Sequence, residues 1–505
     1  MKNSLYFFLL WLVLGTAACS VSNNAAFTPE KKYSPAALKE DLQVMEQTIR
    51  QNHPSLYWYS SPEEVDASFA KAYAAVKDSM NESAFQNLLN ETLFVLRCGH
   101  TSVRHSAMYR YYQAGRRQTG FPLGLKIVDD STLVITGNSN RRDSVLKRGM
   151  TVLSINGRTA RALIDTMLPL VPIDGNSKNF SYQNLSNNFP QFYNSFFQQD
   201  TVYQLQYIDY NDQLQQITIR PYDPAKDTSR FRRPVTTGPF PAEPDLSFRQ
   251  RRQMAVRSFA IDTAHQTAAL RISSFTRRLQ SSYIKKVFRE LRRKNISNLI
   301  IDVRNNGGGL IRKSLLLTKY IKQEPFIYSD SVYSAHRKIK TDERVKKKFW
   351  NNLGMLLLNK KINDSVYVFR YFHHKSYEPK KQTFTGNVYV LTGGFSFSAT
   401  TMFLSSIKGQ QNVTLVGEET GGGYYGNNGV FIPELVLPHT KLQVRLPMYR
   451  IVNNKNITKN GSGVLPDVEV KATAETIRYN RDPKVEAVHS LIARKKKQQA
   501  IKEEY

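Results

Sequence analysis

Between residues 34 and 97, apolar positions recur every three or four residues, the spacing of a single helix face. Leu38, Leu42, Met45 and Ile49 follow Ser34-Pro35 and stop at Asn52-His53-Pro54. Val65, Phe69, Tyr73 and Val76 follow Ser61-Pro62-Glu63-Glu64, and Phe85, Leu88, Leu89, Leu93 and Leu96 follow Ser83. Each run opens on a serine able to accept from free helix N–H groups, twice with proline at the first helical position. The pattern predicts a helical domain over 34–110, closing at Arg97-Cys98-Gly99-His100-Thr101.

From about 119 the period shortens. Residues 121–127, 132–136, 203–207 and 216–220 read as short strands, and 145–157 as a turn, a strand and the Asn156-Gly157 hairpin signal, with a helix over 160–168. A β domain over 115–222 is expected. Residues 223–256, rich in Pro, Arg and Asp, are expected to be a linker.

The third segment, 257–475, alternates strand with helix. Asn298 to Val303 reads as a buried strand leading into Arg304-Asn305-Asn306-Gly307-Gly308-Gly309 and a helix over 310–321. Such a strand, Gly-rich turn and helix can cradle an anion on backbone N–H groups. Residues 322–383 read as a Lys-rich insertion. A second unit of the same kind follows: Val388 to Leu391, Gly393-Gly394, then Ser396-Phe397-Ser398-Ala399-Thr400-Thr401 opening an apolar helix to Gly409. A serine at that turn suits a nucleophile facing a developing oxyanion, while the same serine could simply cap the helix. C-terminal helical segments over 473–479 and 483–492 are expected to end in a solvated basic tail, within 476–505.

At 505 residues the chain exceeds one core, and 41% hydrophobic content with 27 Tyr and 27 Phe is globular. Its first residues, Met1-Lys2-Asn3-Ser4, an apolar run from Leu5 to Leu14, and Gly15-Thr16-Ala17-Ala18-Cys19, read as an export signal over 1–19. They resemble a bacterial lipoprotein signal with Cys19 as the lipidated residue; cleavage near Ala18 is the alternative. Residues 20–33 would then tether the folded part to a membrane of the cell envelope. Cys98 is the remaining cysteine, so no internal disulfide is expected once Cys19 is lipidated or removed. The net charge of +30 is dispersed and carries no aromatic-interleaved nucleic-acid motif, so an anionic lipid or polymer is a better partner than nucleic acid. No metal set is visible: His373-His374 lack ligand spacing, and no cofactor is called for.

Taken together, Asp302 to Gly309, Ser396 to Thr401, Gly417-Glu418-Glu419-Thr420-Gly421-Gly422 and Gly463-Val464-Leu465-Pro466-Asp467 resemble the C-terminal processing, or tail-specific, serine peptidases. The resemblance implies a crotonase-like (ClpP/crotonase) α/β spiral core, with an N-terminal helical domain and a PDZ-like β domain. Residues 145–157 resemble the late strand of a PDZ domain; an unrelated β fragment is the alternative. Ser398 is then the nucleophile, with an oxyanion hole from the Ala399 N–H and one from the Gly307-Gly308 turn. One branch of the family has a lysine about 25 residues after the serine, where this chain has Gly423, and Lys408 lies on a different helix face. Gly99-His100-Thr101 instead resembles the histidine segment of the branch that includes the tricorn core protease, which makes His100 the general base. That branch has a serine at position 99 and a glutamate near Asn460. Glu419 or Glu418 is expected to supply the missing acid. The substrate implied is a peptide or unfolded protein; a scaffold that binds peptide without cleaving it is the competing reading.

Overall fold

Each serine-led apolar run becomes a helix in the computed structural model of the protein, which describes residues 27–116, 119–197, 200–226, 248–341, 343–363 and 366–503. Helix α1 (Pro35–Asn52) is capped by the Ser34 hydroxyl, and α2 (Pro62–Ala75) by a reciprocal pairing of Ser61 with Glu64. Helix α3 (Glu82–Phe94) begins earlier than its serine suggests, because the Asn81 side chain takes the cap and accepts from the Ala84 N–H. The apolar faces of these helices share one core with Tyr328, Val332, Val345, Met355 and Phe369. Residues 322–383 are thus no appended insertion: their apolar positions complete the core of the N-terminal helices. After α3 the chain passes His100 and enters strand β1 (Ser102–Arg104).

An antiparallel sheet follows, with neighbours in the order β2 (Leu123–Ile127), β3 (Leu133–Asn138), β4 (Thr151–Ile155), β5 (Tyr203–Ile208) and β6 (Leu214–Ile219). Asn156 and Gly157, at φ 50° and 75°, close the hairpin that pairs Ile155 with Arg158. Between β4 and β5 lie α4 (Ala160–Met167) and two further helices, Asn179–Asn187 and Phe189–Phe197, which set Leu185, Phe189 and Tyr193 into the core of this sheet. Of the stretch expected as a linker, residues 227–247 lie outside the described residues, and Phe248–Met254 forms a helix. The export signal and most of the tether, residues 1–26, also lie outside them.

The C-terminal half is built on β7 (Arg257–Asp262), β8 (Thr267–Ile272), β9 (Asn298–Asp302), β10 (Asn387–Thr392), β11 (Val413–Gly417), β12 (Glu434–Val436), β13 (Gln443–Arg445) and β14 (Val468–Glu469). Its main sheet runs β7-β8-β9-β10-β11-β14, parallel from β8 onward with β7 antiparallel at the edge. All five residues of β9 are buried, as expected of a parallel strand covered on both faces. Along β10, Val388 and Val390 face a core shared with α5 (Ser281–Arg293), α6 (Ile311–Ile321) and α7 (Ala399–Ile407). Tyr389 and Leu391 face the opposite side and meet Val485 and Val488 of α8 (Pro483–Glu503). The basic stretch expected as a solvated tail is part of α8. Its Lys495 donates to the Asn387 side chain at 3.1 Å and lies 5.6 Å from the centre of the Tyr389 ring.

Strand β13 pairs with β12 on one side and with β1 on the other, setting Arg445 opposite Ser102. The segment carrying His100 is thereby hydrogen-bonded to the half of the chain that carries Ser398.

Candidate active site

The sharp turn after β10 exposes Ser398 because of what holds the residues before it. The Ser396 hydroxyl donates to the Val303 carbonyl at 2.9 Å and accepts from the Gly393 N–H at 3.3 Å. The Phe397 N–H donates to the Asn306 carbonyl at 3.1 Å. These bonds staple the turn after β10 to the turn after β9. Ser398 is left at φ 57° and ψ −121°, a conformation costing a non-glycine residue about 1–3 kcal/mol. It precedes α7 but makes no side-chain cap bond, so the capping reading does not describe it. Its hydroxyl opens into a cavity of about 580 Å³ lined also by Gly99, His100, Gly307, Phe397 and Arg445.

Gly308, at φ 95°, packs directly against this turn. A Cβ there would stand 2.8 Å from both the Ser398 Cβ and the Phe397 carbonyl oxygen, and 3.0 Å from the Ala399 nitrogen. The Gly308 N–H is spent on the Asn306 side chain at 3.0 Å. The N–H groups of Ala399 and Gly307 have no acceptor among the described residues. Of the two glycines expected to supply a donor, Gly307 therefore has the free N–H, while Gly308 permits the close approach.

His100 reaches the same cavity from the N-terminal segment. Its ring lies 4.9 Å from that of Phe397, the residue before Ser398. A Cβ on Gly99 would stand 2.4 Å from the outer edge of the Phe397 ring, so a larger residue there would displace that ring. Burial, with the Arg445 charge adding to it, pushes the His100 pKa down to about 3, and the imidazole is neutral at ordinary pH. Its Nδ1 is buried with no hydrogen-bond partner among the described residues.

The expected acids lie elsewhere. Glu419 accepts from the Gly463 N–H at 2.6 Å and lines a separate cavity with Lys126 and Lys471, where burial raises its pKa. Glu418 pairs with the buried Lys484. Asn460 is exposed, and its side chain accepts from the N–H and hydroxyl of Ser462. Lys408 is held by Asp467 at 2.8 Å, away from Ser398.

Two residues that the sequence did not single out shape the site. Asp174, buried, accepts from the Gly99 N–H at 2.9 Å and the Gly423 N–H at 3.4 Å, tying the histidine loop to the glycine run after β11. Burial raises its pKa to about 7. Its only trace in the sequence is an Asp-Gly turn signal at 174–175. Arg445 is a single charge between Val444 and Leu446, both buried, and such an interruption of an apolar run is the signal available. Among the described residues no three His, Cys, Asp or Glu side chains cluster as a metal site would require.

The fold resembles that of solved proteins. The crystal structure of mature CPAF is similar with a TM-score of 0.60 at 13% identity, covering 90% of this chain and 97% of that one. Mature CPAF complexed with lactacystin gives 0.59 at 14%, covering 90% and 98%. The photosystem II D1 C-terminal processing protease gives 0.39 at 13%, covering 89% and 95%. None of the curated proteins matches in sequence. Residues 266–470 match the model of peptidase family S41, and with this S41 domain the chain is a serine-type peptidase.

Proposed function

We propose that the protein is an exported endopeptidase of the tail-specific type, cutting peptide bonds through an acyl-enzyme on Ser398. In this reading neutral His100 takes the hydroxyl proton as Ser398 attacks the scissile carbonyl, and returns it to the leaving amine. The Ala399 and Gly307 N–H groups receive the oxyanion, each contributing about 3 kcal/mol to lowering the barrier. The supporting observation is that a strained, uncapped serine, a neutral histidine and the unspent Gly307 N–H line one cavity, with the unspent Ala399 N–H on the residue that follows the serine.

The same reading takes the C-terminal half as a crotonase-like spiral core and residues 115–222 as a PDZ-like unit that adds a substrate strand to its sheet. It places the protein in a bacterial cell envelope, anchored through lipid at Cys19. Intact-mass measurement of the purified N-terminus tests the anchor. For catalysis, Ser398→Ala and His100→Ala are compared with the parent on unfolded protein substrates. Both substitutions are expected to lower turnover by at least about a hundredfold. Equal turnover by all three proteins would refute the assignment.

A second reading, a peptide-binding scaffold without catalysis, is favoured by one observation. Among the described residues no carboxylate meets the His100 Nδ1, so none of them stabilises an imidazolium through that atom. Peptide binding without hydrolysis by the parent would support it.

A further inference from the structure

The cavity beside Ser398 has an uneven charge. Its lining is largely apolar, through Phe180, Phe372, Met402, Val430, Ile432 and Ile451, and includes two arginines and no Asp or Glu among the described residues. Arg312 stands at the exposed rim, in the first turn of α6. The cap position of that helix, Leu310, has no side-chain acceptor, so its positive end adds to the field.

Arg445 lies deeper. Strand alternation puts its neighbour Val444 into the core beneath, and Arg445 lines the cavity on the opposite face. Among the described residues its guanidinium has no hydrogen bond and no ion pair. The nearest candidate, Glu434, sits across the strand pair from Arg445, yet its oxygens are taken by Arg104 at 3.4 Å and Lys346 at 3.0 Å. Arg104 repels this group, and Glu434 attracts it without reaching it in a hydrogen bond. A guanidinium partly withdrawn from water without an anion is destabilised, and its fork of donors matches a carboxylate in two hydrogen bonds.

We infer that Arg445 is a carboxylate-binding subsite of this cavity, selecting peptides that bring either a free C-terminal carboxylate or an Asp or Glu side chain next to Ser398. This rests on the reading that the cavity receives peptide. It also adds a consequence for that reading: an acidic peptide group neutralises the charge that opposes protonation of His100, so the base strengthens as the right substrate binds.

The test is binding to the full chain carrying Ser398→Ala, which separates recognition from turnover. Three sets of fluorescein-labelled hexa-alanine peptides are titrated by anisotropy: free C-terminal acid, C-terminal amide, and amide with Glu at each internal position in turn. At least one carboxylate peptide is expected to bind tenfold or more tightly than the plain amide, and which arm responds identifies the source. Adding Arg445→Gln is expected to abolish the difference, while Arg445→Lys keeps the charge, loses the fork and retains part of it. Equal affinities with Arg445 present, or a preference surviving Arg445→Gln, would overturn the inference. Should the Gln protein not fold, an undiminished preference in the Lys protein would overturn it too. A parent that binds carboxylates selectively but hydrolyses nothing would refute the proposed peptidase mechanism and leave the subsite standing.

Discussion

Three buried titratable residues near the site set opposing proton demands. His53 and His100 each have a pKa pushed from 6.5 to about 3 by burial, so below pH 6.5 the unfolded chain binds protons that the folded chain refuses. Stability supplied by the two histidines is present above pH 6.5 and lost as pH falls toward 3. Asp174 has the opposite sign. Its pKa rises from 3.8 to about 7, so the folded state holds the extra proton, and its contribution declines as pH rises through 7. Between about pH 4 and 5.5 the histidines outweigh it by roughly one proton. Asp174→Asn removes the opposing group, and the urea midpoint of this variant is expected to fall more steeply than that of the parent between pH 6.5 and 4.5. Parallel slopes would show that Asp174 does not carry the proton.

At the scale of elements, the site is two turns held face to face. Both were legible in the sequence, because strand, Gly-rich turn and helix leave a strong local pattern at 298–321 and 388–409. Which glycine has which task was not legible, since it depends on the approach of one turn to the other across about 90 residues of chain. Gly308→Ala drives a Cβ to within 3.0 Å of Ser398, Phe397 and Ala399 at a left-handed φ. It is expected to reduce peptide hydrolysis by about a hundredfold, as small displacements of reacting groups do. Gly307→Ala meets open space and keeps its N–H, so its loss is expected to be smaller. Equal losses in kcat/KM would contradict this division. The acid was misplaced for the same reason: Glu419 is 21 residues from Ser398 in sequence, yet the turn after β11 directs it to Gly463.

The whole molecule joins distant parts of the chain. His100 was found only through its Gly-His-Thr context, because nothing in a helical segment announces that it meets a turn nearly 300 residues later. Strand β1 on β13 makes that meeting, and the shared core of the N-terminal helices with residues 322–383 supports it. The Lys-rich composition of that stretch hid its core residues, which are scattered among charges. Met355, fully buried there, tests the union. Met355→Ala is expected to cost about 2–5 kcal/mol in urea unfolding and to raise protease sensitivity within residues 34–97. A stable N-terminal segment in that variant would show the two parts to be independent.

The pairing of Ser398 with His100 is tested most directly by the rate of covalent labelling with a fluorophosphonate. The parent is expected to gain one adduct, mapped by mass spectrometry to Ser398. Ser398→Ala should gain none there, and His100→Ala should label at least about a hundredfold more slowly. Absence of an adduct on the parent, or equal rates with and without His100, would contradict the assignment.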